Sequence, residues 1–324
     1  MTTTQYSTSQ ASSGASGRKT KAPPPPRRRR RTVNGVEPPG LIMRAIKGVV
    51  LTAACAAVVL PFLGILSTSI SSPEHVTRNG GFVILPDTLN FGAYQSILSG
   101  GVVTQALAVS GFVTIAGTLL SLFVTSLLGY ALARPGAFGM KAMLLLVLFS
   151  LLFSPGMIPS YLVVKEVGLI DSLWALIVPS LVSGFNVIVI RAFFSQIPSE
   201  LLESARIDGA GEWQIFSRIC LPLSKAVLAV IGLFYAVSYW NAFFNALLYL
   251  NDSAKWPLQL VLRTYVVNNA QLDQGDLSGV MESMPPQPSI QMAILVLSLV
   301  PILIVYPFLQ KHFAKGVLTG AVKG

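Results

Sequence analysis

Between two long apolar stretches the chain reads ELLESARIDGAGEWQIFSRICLPL, from Glu200 to Leu223. Its polar residues sit at spacings suited to recognition. Pro198-Ser199 is a helix start signal with Ser199 as the expected N-cap, and Glu200 then falls in the first turn, where the helix dipole favours a negative charge. The helix ends near Ile207. Asp208-Gly209 is a turn pair, glycine supplying the positive φ that other residues resist. A second helix follows, with Trp213, Phe216 and Ile219 expected on one face and Glu212, Gln214, Ser217 and Arg218 away from it. Leu221-Pro222 stops it. Two short helices bent around a glycine and presenting Glu203 and Arg206 make a knob shaped for a groove in another protein.

A second set of polar residues lies inside the apolar runs themselves. Ser238, Asn241 and Asn245 fall on one helical face at i, i+3, i+7, with Tyr239 and Trp240 beside them; Ser180, Ser183 and Asn186 form a weaker stripe. Amides and aromatics suit an uncharged, hydroxyl-rich solute, and the same groups also serve as hydrogen-bonding partners between packed membrane helices. Catalytic chemistry has no such footing. His75 and His312 are expected on opposite sides of a membrane, Cys55 and Cys220 at different depths, and no metal-ligand spacing or disulfide framework occurs. GASGRKT at 14–20 lacks the Gly-Lys pair and the strand and helix of a phosphate loop.

The elements that must position these residues follow from composition. The 324 residues are 52 % hydrophobic and 11 % charged, with a mean hydropathy of +0.65, the profile of a membrane protein. Six apolar runs reach the roughly 20 residues that cross ~30 Å of hydrocarbon as a helix: about 47–69, 106–130, 142–163, 173–194, 225–250 and 289–309. The expected fold class is an all-α polytopic membrane protein of six transmembrane helices, covering residues 41–324. Nineteen of the 23 Lys and Arg residues fall on one side if the runs alternate. Positive charge marks the cytoplasmic flanks, so both termini are expected to be cytoplasmic. The net charge of +10 is then an orientation signal, not a nucleic-acid footprint.

Residues 1–40 are rich in Ser, Thr, Gly and Pro and carry Arg27 to Arg31. They are expected to be a disordered, basic cytoplasmic tail, its arginines placed to hold the first span inside or to lie against anionic lipid. The first run is longer than a signal core and is expected to be retained.

No Asp, Glu or Lys occurs within the six runs, and Arg191 lies near an end. Self-energised carriers place ionisable groups at mid-membrane, so a proton- or sodium-coupled carrier is disfavoured. The runs hold broken helix instead: Ser154-Pro155-Gly156, followed by Pro159-Ser160, interrupts the third. The sequence shows no cation lining a solute path, which argues against an anionic solute.

The stretch ESARIDGAGEWQIFSRICLPL resembles the EAA loop of binding-protein-dependent ABC importer permeases. Glu203, Ala205, Asp208, Gly209, Ala210, Phe216, Ile219, Leu221 and Pro222 match the pattern, and Ser204 replaces its middle Ala. PDTLNFGAYQSIL after the first run and YPFLQKHFAKGVLTGAVKG at the end extend the resemblance to the maltose-type carbohydrate subgroup, closest to permeases for complex saccharides. The resemblance implies a type I (MetI-like) importer permease of the bacterial plasma membrane, with residues 198–222 as a cytoplasmic coupling loop. It further implies that Glu203, Ala205, Arg206, Asp208, Gly209, Ala210 and Phe216 form the interface with an ATPase subunit. Glu203 would face a basic residue there, Gly209 the bend and Ala210 the close approach. Asn186, Ser238, Tyr239, Trp240, Asn241 and Asn245 are the candidate substrate path. The implied partners are two ATP-binding cassette subunits, a different second permease chain, an extracytoplasmic solute-binding protein, a saccharide and membrane lipid, with no nucleic acid. No cofactor or metal is expected on this chain, because ATP and Mg belong to the ATPase. A permease for another uncharged solute, or a secondary transporter, is the alternative.

Overall fold

The computed structural model describes residues 41–321 apart from 100, 135, 137, 138 and 268–284. The tail expected over 1–40 lies outside the described residues. The chain divides into two compact units, Met1–Ala56 and Ala57–Gly324. The described part of the first is the start of a single helix, α1 (Leu41–Ile70), in which Cys55 is exposed.

In the second unit helices follow one another without any strand among the described residues. Two short helices, α2 (Pro73–Arg78) and α3 (Gly92–Leu98), precede the long α4 (Val102–Ala133). The expected third run is two helices, α5 (Met140–Leu152) and α6 (Met157–Glu166), of 13 and 10 residues. Gly156, with φ +83°, starts the second of them. The fourth run is likewise broken, into α7 (Trp174–Ile177) with its 3₁₀ turn to Ser180, and α8 (Gly184–Phe194), which meet at 52°. Next come α9 (Ser199–Ile207), α10 (Glu212–Ile215), a π-helical turn over Phe216–Cys220, and α11 (Leu221–Leu223). The chain then bends by 84° into α12 (Lys225–Trp240). That helix stops ten residues before the expected end of the fifth run, and α13 (Phe244–Tyr249) follows a break. Finally α14 (Leu258–Leu262) leads into a second π-helical turn, Arg263–Val267, and α15 (Gln287–Ala321) ends the fold. Residues 253–267, which lie between the fifth and sixth expected runs, are therefore largely helical.

Among the described residues three helices are long and apolar enough to cross a membrane: Ile42–Ile70, Val102–Ala133 and Gln287–Pro307. Counting each bent pair as one span raises the number to five. Neither α5 nor α6 alone reaches the ~20 residues a bilayer requires.

The bundle is built around α4. Its buried residues Ser110, Val113, Gly117, Ser121, Thr125 and Gly129 recur every three or four positions, one face of a helix. They are small, which matters in lipid, where helices associate by close packing and interhelical hydrogen bonds. A Cβ at Gly117 would stand 2.8 Å from the Tyr239 ring, and one at Gly129 would stand 2.7 Å from the Ile190 side chain. Those two glycines set the distance between α4 and its neighbours.

Tyr235 and Tyr239, one turn apart on α12, add the polar part. The Tyr235 hydroxyl pairs with Thr125 Oγ1 at 2.7 Å and accepts the Ser183 backbone N–H at 3.0 Å. The Tyr239 hydroxyl donates to the Ile177 carbonyl at 3.2 Å, so Ser121 Oγ, 2.8 Å away, donates to it. Ile177 and Ser183 flank the break between α7 and α8. A broken helix frees backbone groups that lipid cannot satisfy, and the two phenols supply the missing partners. Tyr235→Phe strands buried Thr125 and the Ser183 amide. It is expected to lower the stability of the micelle-solubilised protein by about 1–3 kcal/mol, read by thermal unfolding. A melting temperature equal to wild type removes the clasp.

Away from that centre a second clamp ties the chain after α13 to the segment before α7. Asp171 holds φ +58°, an uncommon conformation for a residue with a side chain. Its backbone N–H donates to the Tyr249 carbonyl at 2.7 Å. Its carboxylate accepts the Asn251 and Asp252 N–H groups at 3.1 and 3.0 Å and the Lys255 ammonium at 2.7 Å. The Lys255 hydrogen bond, followed by the Asp252 amide, holds the Asp171 carboxyl below its usual range. A depressed acid contributes its stabilisation above its unfolded pKa and loses it as pH falls through the folded value. Amide protection at Asn251 and Asp252 is therefore expected to be full at neutral pH and to fade below the ordinary carboxylate range. Asp171→Ala should show the acid behaviour at neutral pH; unchanged protection in that variant rules the clamp out.

Candidate functional site

The polar elbow between α8 and α12 forms where its sequence says a helix must end and restart. Pro198, not Ser199, occupies the N-cap of α9, and no side chain caps it. Ser199 is the first helical residue, because a proline with its extended ψ already sets the entry direction. Glu200 lies in the first turn and Arg206 in the last, both favoured by the dipole. At the other end the Gly209 N–H donates to the Arg206 carbonyl and the Ala210 N–H to the Ala205 carbonyl, at 3.0 and 2.9 Å. With Gly209 at φ +83°, this is a Schellman closure. The chain restarts when Gln214 Oε1 accepts the Gly211 N–H at 3.1 Å.

The second elbow helix buries a different face from the one expected. Ile215, Phe216 and Cys220 are buried, whereas Trp213 is 60 % exposed and Ile219 only half-buried. The π turn over 216–220 inserts an extra residue per turn, which rotates the residues after it out of the 3.6-residue register. Phe216 packs into an aromatic cluster with Tyr130 at 5.1 Å, Trp213 at 5.5 Å and Phe194 at 6.5 Å between ring centroids. Ala205 and Ala210 lean on the same core.

Glu212 is the hub. One carboxylate oxygen takes Arg206 Nη2 at 3.0 Å and Nε at 3.3 Å; the other takes the Tyr130 hydroxyl at 2.7 Å and Arg134 Nη2 at 3.0 Å. Arg134 also hydrogen-bonds the Tyr130 hydroxyl and lies 4.4 Å above its ring. Arg191, from α8, donates to the Leu132 carbonyl at 2.9 Å and so caps the same end of α4. The elbow is thus latched to the end of the central helix. Arg206, expected to be presented outward, turns back onto Glu212. Glu203, Ile207, Asp208 and Gly209 stay exposed, Ile207 at 86 %, and Glu203 makes no ion pair among the described residues. The exposed face of the elbow is an acidic and apolar ridge around the bend at Gly209.

The residues expected along a solute path are divided by the structure. Tyr239 is buried in the clasp described above. Trp240 is buried with its indole N–H donating to the Ser298 carbonyl at 3.0 Å, and Asn186 is buried in α8. Ser238 and Asn241 are exposed and Asn245 is half-buried. They do not share one continuous helix. Asn241 caps α12, its Nδ2 donating to the Val237 carbonyl at 2.8 Å, and Asn245 belongs to α13. No metal-binding group of His, Cys, Asp or Glu exists among the described residues.

Long apolar helices, several of them broken, and a polar elbow latched to the central helix are the make-up of an integral membrane protein. Residues 125–319 match the family described as "Binding-protein-dependent transport system inner membrane component", and the chain belongs to that family of ABC importer permeases. The chain is 48 % identical over 267 residues to the polygalacturonan/rhamnogalacturonan transport system permease protein YtcP of Bacillus subtilis (strain 168), covering 82 % of this chain and 93 % of that protein. It is 30 % identical to the arabinooligosaccharides transport system permease protein AraQ of Halalkalibacterium halodurans, covering 82 % and 91 %. A crystal structure of a bacterial ABC transporter involved in the import of the acidic polysaccharide alginate superposes with a TM-score of 0.75 at 31 % identity, covering 84 % of this chain and 96 % of that one.

Sequence reasoning missed the Glu212 hub, since Tyr130 stands 82 residues away. Glu212→Ala should raise amide exchange over residues 204–211 by about twofold to thirtyfold, the span of a coupling of roughly 0.5–2 kcal/mol, and leave the core of α12 unchanged. Equal protection in both proteins means that the latch carries no strength.

Proposed function

We propose that this chain is one of two permease subunits of an ATP-driven importer of saccharides in the bacterial cell membrane. It forms half of the translocation path and takes its motion from an ATPase subunit through the elbow. The observation that carries this reading is the elbow itself, a Schellman bend at Gly209 with Glu203 and Ile207 exposed, latched through Glu212 to α4. A charge-assisted contact fixes register, and a stiff attachment passes a partner's closure to the bundle as rigid-body motion. The saccharide assignment is supported by the relatives' substrates, polygalacturonan/rhamnogalacturonan and arabinooligosaccharides by their names and alginate by the solved transporter's description.

The reading includes six crossings, the third made of α5 and α6 together, with both termini on the cytoplasmic side as the Lys and Arg distribution favours. A second, different permease chain completes the path. Two ATPase subunits hold ATP and Mg, and an extracytoplasmic binding protein delivers the solute. Ser238, Asn241 and Asn245 are the polar residues best placed by exposure to meet it.

In a reconstituted complex, Glu203→Lys is expected to reduce co-purification of the ATPase subunit and to cut solute-stimulated ATP hydrolysis by about tenfold or more, the loss of a charge-assisted contact. Gly209→Val, forced into a conformation a β-branched residue resists, should insert normally and transport nothing. Undiminished association in the first variant, or wild-type uptake in the second, refutes the coupling role.

A further inference from the structure

A charge from elsewhere in the chain stands over the break between α12 and α13. Arg263 opens the π-helical turn after α14. Its guanidinium carbon lies 5.0 Å from the centroid of the Phe243 ring, in the break itself. Asn241 is exposed two residues earlier, and Phe244, 48 % exposed, meets Phe243 edge-on at 6.1 Å.

The platform beneath Arg263 is fixed. Tyr265 is buried against α15, and Gln291 Nε2 donates to the Tyr265 carbonyl at 2.8 Å. Thr264 Oγ1 donates to the Leu260 carbonyl at 3.0 Å. Two residues from Tyr265 along the turn, Arg263 is exposed. Arg134, Arg206 and Lys255 all have carboxylate partners; among the described residues Arg263 has none. π turns recur at functional sites because the inserted residue re-aims a side chain, and this one aims a cation at a ring.

Arg263 is exposed, lies over Phe243 and has no carboxylate partner among the described residues, so its N–H groups can receive a carboxylate through two parallel hydrogen bonds. An amide and an aromatic ring in the same break, Asn241 and Phe244, suit sugar hydroxyls and C–H faces. We propose that Arg263, held on Phe243, reads a carboxylate on the transported solute, so that the substrate class is an acidic, uronate-bearing saccharide with Asn241 meeting its hydroxyls. The assignment rests on the saccharide reading above and replaces the uncharged solute that the sequence favours.

The test uses the complete importer, with its second permease chain, ATPase and binding protein, in proteoliposomes. Uptake of an oligogalacturonide is compared with uptake of its full methyl ester, the same saccharide without charge. Wild type is expected to prefer the acid. Arg263→Gln should lower acid uptake by at least about tenfold, the loss of a hydrogen bond to a charged group, and leave ester uptake unchanged. Arg263→Lys should keep part of the acid uptake. Equal losses for acid and ester, or undiminished acid uptake, overturn the assignment. If Arg263→Gln fails to assemble, Phe243→Leu decides: it keeps the charge and removes the ring, and acid uptake should fall several-fold with the ester unaffected; an unchanged ratio overturns the assignment. Uptake of the ester alone by wild type overturns it while the saccharide reading stands. Uptake of neither overturns both.

Discussion

Everything in this fold depends on how closely α4 approaches its neighbours. In water a bundle is held by excluding solvent from apolar side chains; in lipid that force is absent between helices, and contact distance and interhelical hydrogen bonds must replace it. Gly117 and Gly129 allow the Tyr239 ring and Ile190 to sit where a Cβ would stand. Ser121 and Thr125 lie on that same face and meet the two phenol hydroxyls. The small residues and the hydroxyls therefore serve one contact. An apolar enlargement of the face would separate the helices and also pull the phenols from Ile177 and Ser183, so packing and backbone satisfaction fail together.

The same helix ends in the elbow latch. Tyr130 belongs to α4, and Arg134 follows it directly. Isolated exposed ion pairs contribute about 0–1 kcal/mol, and Glu212 is 59 % exposed on its side chain, so neither arginine alone would hold the elbow firmly. Sharing changes this: one carboxylate orders Arg206, Arg134 and Tyr130 at once, and Tyr130 is already fixed by the Phe194 and Phe216 rings. Force applied to the exposed ridge near Gly209 would reach α4 through this latch and α12 through the 84° bend.

How much of this was legible in the sequence depended on the range of the interaction. The apolar runs and the glycine turn were legible because each is set by neighbouring residues: hydropathy over one helix length, and a positive φ at Gly209 that only its own residue type decides. The interruption at Ser154-Pro155-Gly156 was legible for the same reason. The end of α12 at Trp240 was not, since no proline or glycine marks it; Asn241 and the packing of Trp240 against Ser298 do. The face of the second elbow helix was misjudged because a 3.6-residue period does not survive a π turn. Tyr239 and Trp240 read as path-lining because aromatic residues beside amides fit a sugar, yet on a helix the neighbours of an exposed position point elsewhere. Asn241 faces out, and Tyr239 and Trp240 consequently face in.

That geometry also bears on how a solute path can be selective when its spans carry so little charge. Arg263 lies between the expected fifth and sixth runs and is exposed; a nearby carboxylate would hold it but would also neutralise it towards an anionic ligand. Phe243 offers another remedy. The ring's electron-rich face stabilises an exposed guanidinium by about 0.5–1 kcal/mol without competing for its N–H groups, so the charge is kept in place and stays available. The break between α12 and α13 is what brings the ring there, because Phe243 in a continuous helix would continue the pattern of α12 in place of leaving it. Interrupted helices are thus not only openings in the backbone. They set apart a small surface on which a charge can be held by an aromatic face, while the clasp on α4 satisfies the backbone freed at the other break.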